Sequence, residues 1–173
     1  MDKTILKNFA VDSRNKLIED TIYKLNLLGI TEKEIQDPIE ADGMQTFQIG
    51  STTYSIYDDD IRKREEIIGE IESKGFNSFV EEVAYTWFNR IIAIRYMEVN
   101  NYLPTKTIVL SSEIEGKLEP DILTEALNID LNYSQYEKEL IFKLKDENKL
   151  DNLFRFLFIG TLIFVMKMDT VDF

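Results

Sequence analysis

The fold class is indicated first by residues 77–100, which read NSFVEEVAYTWFNRIIAIRYMEVN. Apolar side chains recur there at steps of three and four residues, which is the period of an α-helix. One apolar stripe consists of Phe76, Val80, Val83, Trp87, Ile91 and Ile94. A second set widens it past half the circumference: Phe79, Phe88, Ile92 and Tyr96. A helix this apolar packs at the centre of its domain, so we predict a central helix from Asn77 to about Asn100, with Leu103-Pro104 after it as the stop signal.

Further helices are predicted on both sides of this central helix. The first runs from Lys3 to Leu28 and stops at Gly29. Thr31 and Glu34 have the spacing of a capping box and predict a short second helix. The other predicted helices run from Asp58-Asp59-Asp60 to Gly75, from Pro120 to about Leu127, from Ser134 to Leu150, and, capped by Asp151, from Asn152 to about Lys167.

Three short segments have the composition of strands. Residues 46–49 and 53–57 are β-type runs separated by Gly50-Ser51, which predicts a hairpin. Residues 107–110 are a further candidate strand, and residues 38–44 read as a loop. The predicted fold class is therefore α+β, mainly α: a helical bundle around a central apolar helix (about 77–100) with a small β-hairpin (about 46–57).

The composition excludes several classes of enzyme. The chain has 173 residues, 20 of them basic and 32 acidic, for a net charge of -12, and it contains no His and no Cys. It therefore cannot hold a Ser-His-Asp triad, a thiolate nucleophile or a Cys/His zinc site. Its seven glycines are too far apart for a phosphate-binding loop.

The same composition leads us to expect a cytoplasmic protein without a membrane segment. Met1-Asp2-Lys3-Thr4 lacks the pattern of a secretory signal. The longest apolar run, residues 153–166, contains Arg155 and is shorter than the roughly 20 residues that span a bilayer.

Two acidic patterns suggest metal chemistry but are better explained otherwise. Asp58-Asp59-Asp60 lacks the glycine and the glutamate of a calcium loop, so we interpret it as a helix start. The E-x-K tripeptides 72–74 and 115–117 match half of a nuclease motif, but neither has a second carboxylate on a neighbouring strand. A small metal-dependent nuclease is thus disfavoured.

Five cations are candidate contacts for DNA or a partner protein. Arg90 and Arg95 lie on the most apolar helix, where a long cation must pair, reach water or bind a ligand. Glu98 follows Arg95 by three residues, so internal pairing is favoured over a phosphate contact. Lys3, Lys7 and Arg14 recur on one face of the first helix.

The run from Ala84 to Asn100, with Leu103-Pro104 after it, resembles the N-terminal region of the PglX adenine-specific DNA methyltransferases of BREX phage-defence systems. Residues 119–123 (EPDIL) and 150–154 (LDNLF) also fit that family. The opening helix agrees at Lys3, Leu6, Lys7, Phe9, Ala10, Arg14, Leu17 and Ile18. The resemblance divides the chain into a PglX-like N-terminal helical domain, residues 1–159, and a divergent C-terminal tail, residues 160–173.

The resemblance implies no catalytic role for these residues. The family's S-adenosylmethionine loop and its Asn-Pro-Pro-Tyr motif, which holds a flipped adenine, have no counterpart among the three prolines and seven glycines here. We therefore expect no cofactor, no metal and no enzyme activity in this chain alone.

The resemblance predicts a non-catalytic module that braces the methyltransferase domain and contacts other defence-system subunits or DNA. Residues 1–100 hold 12 basic and 19 acidic residues (net -7) and the rest 8 and 13 (net -5), so DNA binding by the chain alone should be weak. The alternative is an acidic DNA mimic or protein-interaction domain that inhibits or regulates a defence enzyme. Self-association through the apolar C-terminal helix is a further expectation.

Overall fold

A computed structural model describes residues 2–103, 105–129 and 131–169. The elements are α1 (Lys3–Leu27), β1 (Ile39–Ala41), β2 (Met44–Ile49), β3 (Thr52–Tyr57), α2 (Asp59–Lys74), α3 (Phe76–Val99), α4 (Asp121–Thr124), α5 (Gln135–Asp146) and α6 (Leu150–Asp169). The mainly helical α+β class is confirmed. The chain forms two compact units, Met1–Asn89 and Arg90–Phe173, which divide within α3.

The first unit contains a three-stranded antiparallel sheet in the order β1-β2-β3. Strands β2 and β3 form the predicted hairpin, with Phe47 opposite Tyr54. Strand β1 was predicted as loop. Asp42 and Gly43 connect it to β2, and both have positive φ, 51° and 75°. An Asp-Gly pair with this geometry is a strong two-residue hairpin signal, so the third strand was readable from the sequence.

One core cluster of the first unit is built by the C-terminal half of α1, the residues just after it, α2 and the start of α3. Its buried members are Leu25, Ile30, Ile71 and Val80. Helix α1 ends where predicted, because Gly29 adopts a φ of 69° and the amides after the helix bond back to its last carbonyls. A Cβ at position 29 would lie 2.7 Å from the Phe47 ring, so glycine is also required for packing.

The predicted helix after Thr31 is wrong. The Thr31 hydroxyl accepts the amide of Glu34, as a cap would, at 3.0 Å. The chain then closes into a turn, because Ile30 and Ile35 form an isolated β-bridge. The Gln36 amide donates to the Gly29 carbonyl at 2.8 Å, and these turn bonds use the groups that a helix would need.

The second unit contains the C-terminal part of α3 and helices α4, α5 and α6. Ser134 and Glu137 form a complete capping box at the start of α5. Helix α4 is shorter than the predicted helix 120–127, since it ends at Thr124. Helix α6 begins at Leu150, so Asp151 lies in its first turn and is not its cap. Helix α6 is continuous through residue 160, where the sequence was predicted to diverge from the family. The last four residues of the predicted tail, 170–173, lie outside the described residues.

The central helix α3 spans Phe76–Val99, which confirms the predicted range of about 77–100. It ends there because Asn101 adopts a φ of 56° and the Tyr102 amide bonds back to the Met97 carbonyl. Pro104 lies outside the described residues. Ile92 and Tyr96 are exposed, so the apolar face is narrower than predicted. Across the described ranges, no helix is both long enough and apolar enough to cross a membrane.

Candidate functional site

The most highly organised polar region is the loop of residues 105–119, which we call the anchored loop. The Glu98 carboxylate on α3 accepts the amides of Val109 and Leu110, both at 2.8 Å. It also accepts the Ser111 hydroxyl at 2.9 Å and a guanidinium N–H of Arg95. The predicted strand 107–110 is wrong, because backbone amides that a strand would use to pair with a neighbouring strand donate to the Glu98 carboxylate instead.

Asp121, at the start of α4, holds the other end of the anchored loop. Its carboxylate accepts the Ser112 hydroxyl at 2.7 Å and the Glu113 amide at 2.8 Å. Lys117 donates to the same carboxylate at 3.0 Å and to the Thr124 hydroxyl at 2.9 Å. The E-x-K tripeptide at residues 115–117 therefore has a structural role, because its lysine is bonded to Asp121 and Thr124 and closes the loop.

The electrostatics show that both carboxylates are held in their charged form. Burial acts to raise the pKa of Glu98, but the hydrogen bonds from Leu110, Ser111, Val109 and Arg95 together outweigh it, and the pKa is lowered. The Ser112 hydroxyl, then the Glu113 amide and Lys117, lower the pKa of Asp121 to about 2. Donors that converge on a carboxylate stabilise its anion, so near neutral pH both anchors are ionised.

The anchored loop exposes apolar side chains at its tip. Leu118 is 97% exposed and Ile114 is 65% exposed. The backbone before Ile114 is held by Glu98 at residues 109–111 and by Asp121 at residues 112 and 113, and the Lys117 side chain beside Leu118 is bonded to Asp121. A fixed loop that presents apolar groups to solvent is suited to binding a protein surface, because little conformational entropy remains to be lost on binding.

The five predicted contact residues lie in both units. In the first unit, Lys3 and Lys7 are exposed and form no ion pair with the described residues. Arg14 pairs with Glu81 at 3.0 Å on the surface. In the second unit, Arg90 is partly buried and has an interaction partner.

Arg95 forms the predicted pair with Glu98 and also donates to the Ser111 hydroxyl at 2.8 Å. The two partners differ in burial, since the Arg95 side chain is 50% exposed and that of Glu98 only 2%. The sequence correctly identified the pair, but Glu98, not Arg95, is its buried member.

Arg64 is a structural cation that the sequence did not distinguish from its neighbours Arg62 and Lys63. It is 5% exposed, and its guanidinium donates to the carbonyls of Leu28 at 2.8 Å and Gln36 at 2.7 Å. The guanidinium carbon lies 4.4 Å from the centre of the Phe47 ring. Burial lowers the pKa of Arg64, and Asp37 and Glu65 oppose this.

A small cavity of about 230 Å³ lies in the second unit beside Gly160. The Tyr133 hydroxyl is buried at its side without a hydrogen-bond partner among the described residues. Burial, and secondarily Glu137, raises the pKa of Tyr133 to about 12. The phenol is therefore a neutral donor near neutral pH. Among the described residues, no group of three or more acidic side chains could hold a metal ion.

Comparisons with known proteins agree with the resemblance seen in the sequence. The chain is 43% identical over 157 residues to the adenine-specific methyltransferase PglX of Lacticaseibacillus casei (strain Zhang), which covers 84% of this chain and 13% of that protein. It is 36% identical over 106 residues to the adenine-specific methyltransferase BrxX of Escherichia coli O9:H4 (strain HS), over 60% of this chain and 9% of that protein. No protein-family model matches the chain, and no solved structure does. The chain is thus similar, along most of its length, to a small part of the PglX-like adenine-specific methyltransferases.

Proposed function

We propose that this chain is a non-catalytic N-terminal helical module of a PglX-like adenine-specific DNA methyltransferase of a phage-defence (BREX) system, and that it braces the catalytic domain. The anchored loop is the observation that carries the proposal. It lies between two stretches that carry the family resemblance, residues 84–100 and 119–123, and each contributes one anchoring carboxylate, Glu98 and Asp121.

The tip of the anchored loop is the docking element. Leu118 and Ile114 are exposed on a loop in which the amides of Glu113, Ile114 and Lys117 and the hydroxyls of two serines are bonded. Burying a leucine side chain on association contributes about 1.5–3 kcal/mol. The partner is accordingly an apolar patch on the methyltransferase body or on another subunit of the defence system.

The ion pairs of the first unit favour a bracing role over an acidic DNA mimic. On α2, Arg62 pairs with Glu66 at 3.0 Å and Lys63 with Asp60 at 2.9 Å. Lys74 pairs with Glu70 at 2.7 Å and Glu82 at 2.6 Å. Cations therefore interrupt the acidic surface, whereas a mimic of DNA requires a nearly continuous negative face. Contact with DNA through Lys3 and Lys7 is a secondary role within the assembled enzyme.

The test is co-purification of this chain with a separately expressed PglX-like methyltransferase that lacks the corresponding segment. The double substitution Leu118→Asp and Ile114→Asp should weaken the complex at least about tenfold, because it places charges in an apolar contact. Tyr136→Asp is the matched control, since Tyr136 is an exposed apolar residue on α5 outside the loop. Undiminished binding by the double variant, with an unchanged melting temperature, would contradict the proposed docking element.

A further inference from the structure

Helix α1 carries a second surface that the proposed function does not use. The residues Ile5, Phe9, Asp12, Lys16, Glu19 and Tyr23 are all exposed. They recur at alternating steps of four and three residues, the spacing of a coiled-coil seam. At about 100° per residue they occupy a sector about 80° wide. We call this set the α1 seam.

The α1 seam faces away from the core of its own unit. Leu25 is buried in the core, and Ile18 and Ile22 pack against that cluster. On the helical wheel these three lie about 200–260° from Ile5, on the opposite side of α1. A second helix could therefore lie along the seam without displacing any core contact.

The order of charges along the seam identifies its occupant. We propose that α1 pairs antiparallel with α1 of a second copy of this chain. In a two-fold register centred on residue 14, Asp12 of each copy faces Lys16 of the other, Ile5 faces Tyr23, and Phe9 faces Glu19. A parallel arrangement would instead place Asp12 against Asp12 and Lys16 against Lys16, and opposed like charges disfavour that orientation.

The seam residues remain available for this contact. Lys16 pairs with Asp20 of its own helix at 2.7 Å, but both side chains are more than half exposed. An exposed pair of this kind contributes little to stability, so Lys16 can also contact Asp12 of the second copy. Only Ile5, Phe9 and Tyr23 are apolar along the seam, and the dimer is therefore weak, with a dissociation constant in the micromolar range.

Reversing the charges of two exposed seam residues tests the proposed dimer without disturbing the folded core. Asp12→Lys and Lys16→Asp each place like charges across the antiparallel contact, so each variant alone should dimerise at least about tenfold more weakly than the native chain. Mixed in equal amounts, the two variants present opposite charges at both contacts and should form a heterodimer of near-native affinity. Lys7→Asp is the control, because Lys7 is exposed on the opposite side of α1.

Sedimentation equilibrium at low salt measures the native chain, the two charge variants, their mixture and the Lys7→Asp control, and circular dichroism verifies that each protein is folded. A native chain that stays monomeric at several hundred micromolar would overturn the proposal, as would a mixture that does not restore association. Dimerisation that is insensitive to both charge variants but lost in Ile163→Asp would assign self-association to α6, where Ile163 is exposed. That outcome also overturns pairing through α1. None of these results depends on the proposed function.

Discussion

Replacement of Glu98 by alanine should be among the most destabilising single substitutions in the second unit. The Glu98 side chain is only 2% exposed. Its carboxylate is the acceptor for two backbone amides, one hydroxyl and one guanidinium. In Glu98→Ala the amides of Val109 and Leu110 lose their acceptor where water has little access, and the anchored loop loses its connection to α3.

The magnitude follows from the burial and from the number of donors. A hydrogen bond to a charged group contributes about 1.5–3 kcal/mol, and several at one carboxylate do not add fully because the loop can relax. Removing one member of a buried, hydrogen-bonded pair costs about 3–5 kcal/mol, and we expect a loss in this range for Glu98→Ala. Arg95→Ala should cost only about 1 kcal/mol, since half of Arg95 is exposed and Glu98 keeps its other three donors.

Urea unfolding followed by circular dichroism gives the change in the free energy of unfolding, and amide hydrogen exchange at Val109 and Leu110 reports on the loop itself. Both amides should lose protection in Glu98→Ala and keep most of it in Arg95→Ala. If Glu98→Ala unfolds within about 0.5 kcal/mol of the native chain with both amides still protected, the anchoring role is refuted. Equal losses for the two variants would show that the cation, and not the amides, holds the carboxylate.

Arg64→Ala should lower the free energy of unfolding by about 2–4 kcal/mol, because two partly buried carbonyls and the Phe47 ring lose their partner. Arg62→Ala, on the exposed face of α2, should change it by less than about 0.5 kcal/mol in the same urea titration. The pKa of Asp121 is lowered from 3.8 to about 2, so its contribution to stability is fully present above pH 3.8 and is lost as pH falls through about 2. The protection factor of the Glu113 amide, which is its exchange rate corrected for the intrinsic rate at each pH, should fall over that window in the native chain but not in Asp121→Asn. Calorimetry should detect no binding of S-adenosylmethionine, since the chain lacks the cofactor loop; micromolar binding would contradict this. Duplex DNA should bind only weakly in gel shifts near 0.15 M salt, because the net charge is -12. Any binding should disappear when three cations of α1 are changed together to alanine: Lys3, Lys7 and Arg14.

Local signals were sufficient for most of the helices and for the hairpin. Gly29 ends α1 and the Ser134 capping box begins α5, because each acts within about one helical turn. Asp42-Gly43 is a local signal that the prediction missed. The positive φ angles of these two residues form the tight turn that allows β1 to pair with β2. The Arg95–Glu98 pair could also be predicted from the sequence, because side chains three residues apart on a helix are neighbours on its surface.

The sequence by itself therefore determined the helical class, most of the element positions and the likeness to PglX-like methyltransferases. Only the tertiary structure decided which charged residues are structural. Arg64 bonds to carbonyls 36 and 28 residues away, and Glu98 bonds to amides 11 and 12 residues away. The sequence gives no period or spacing for such contacts, because a loop can place its polar backbone groups against any side chain that the packed helices bring near. The burial that makes a carboxylate or guanidinium costly to remove exists only once those helices have packed.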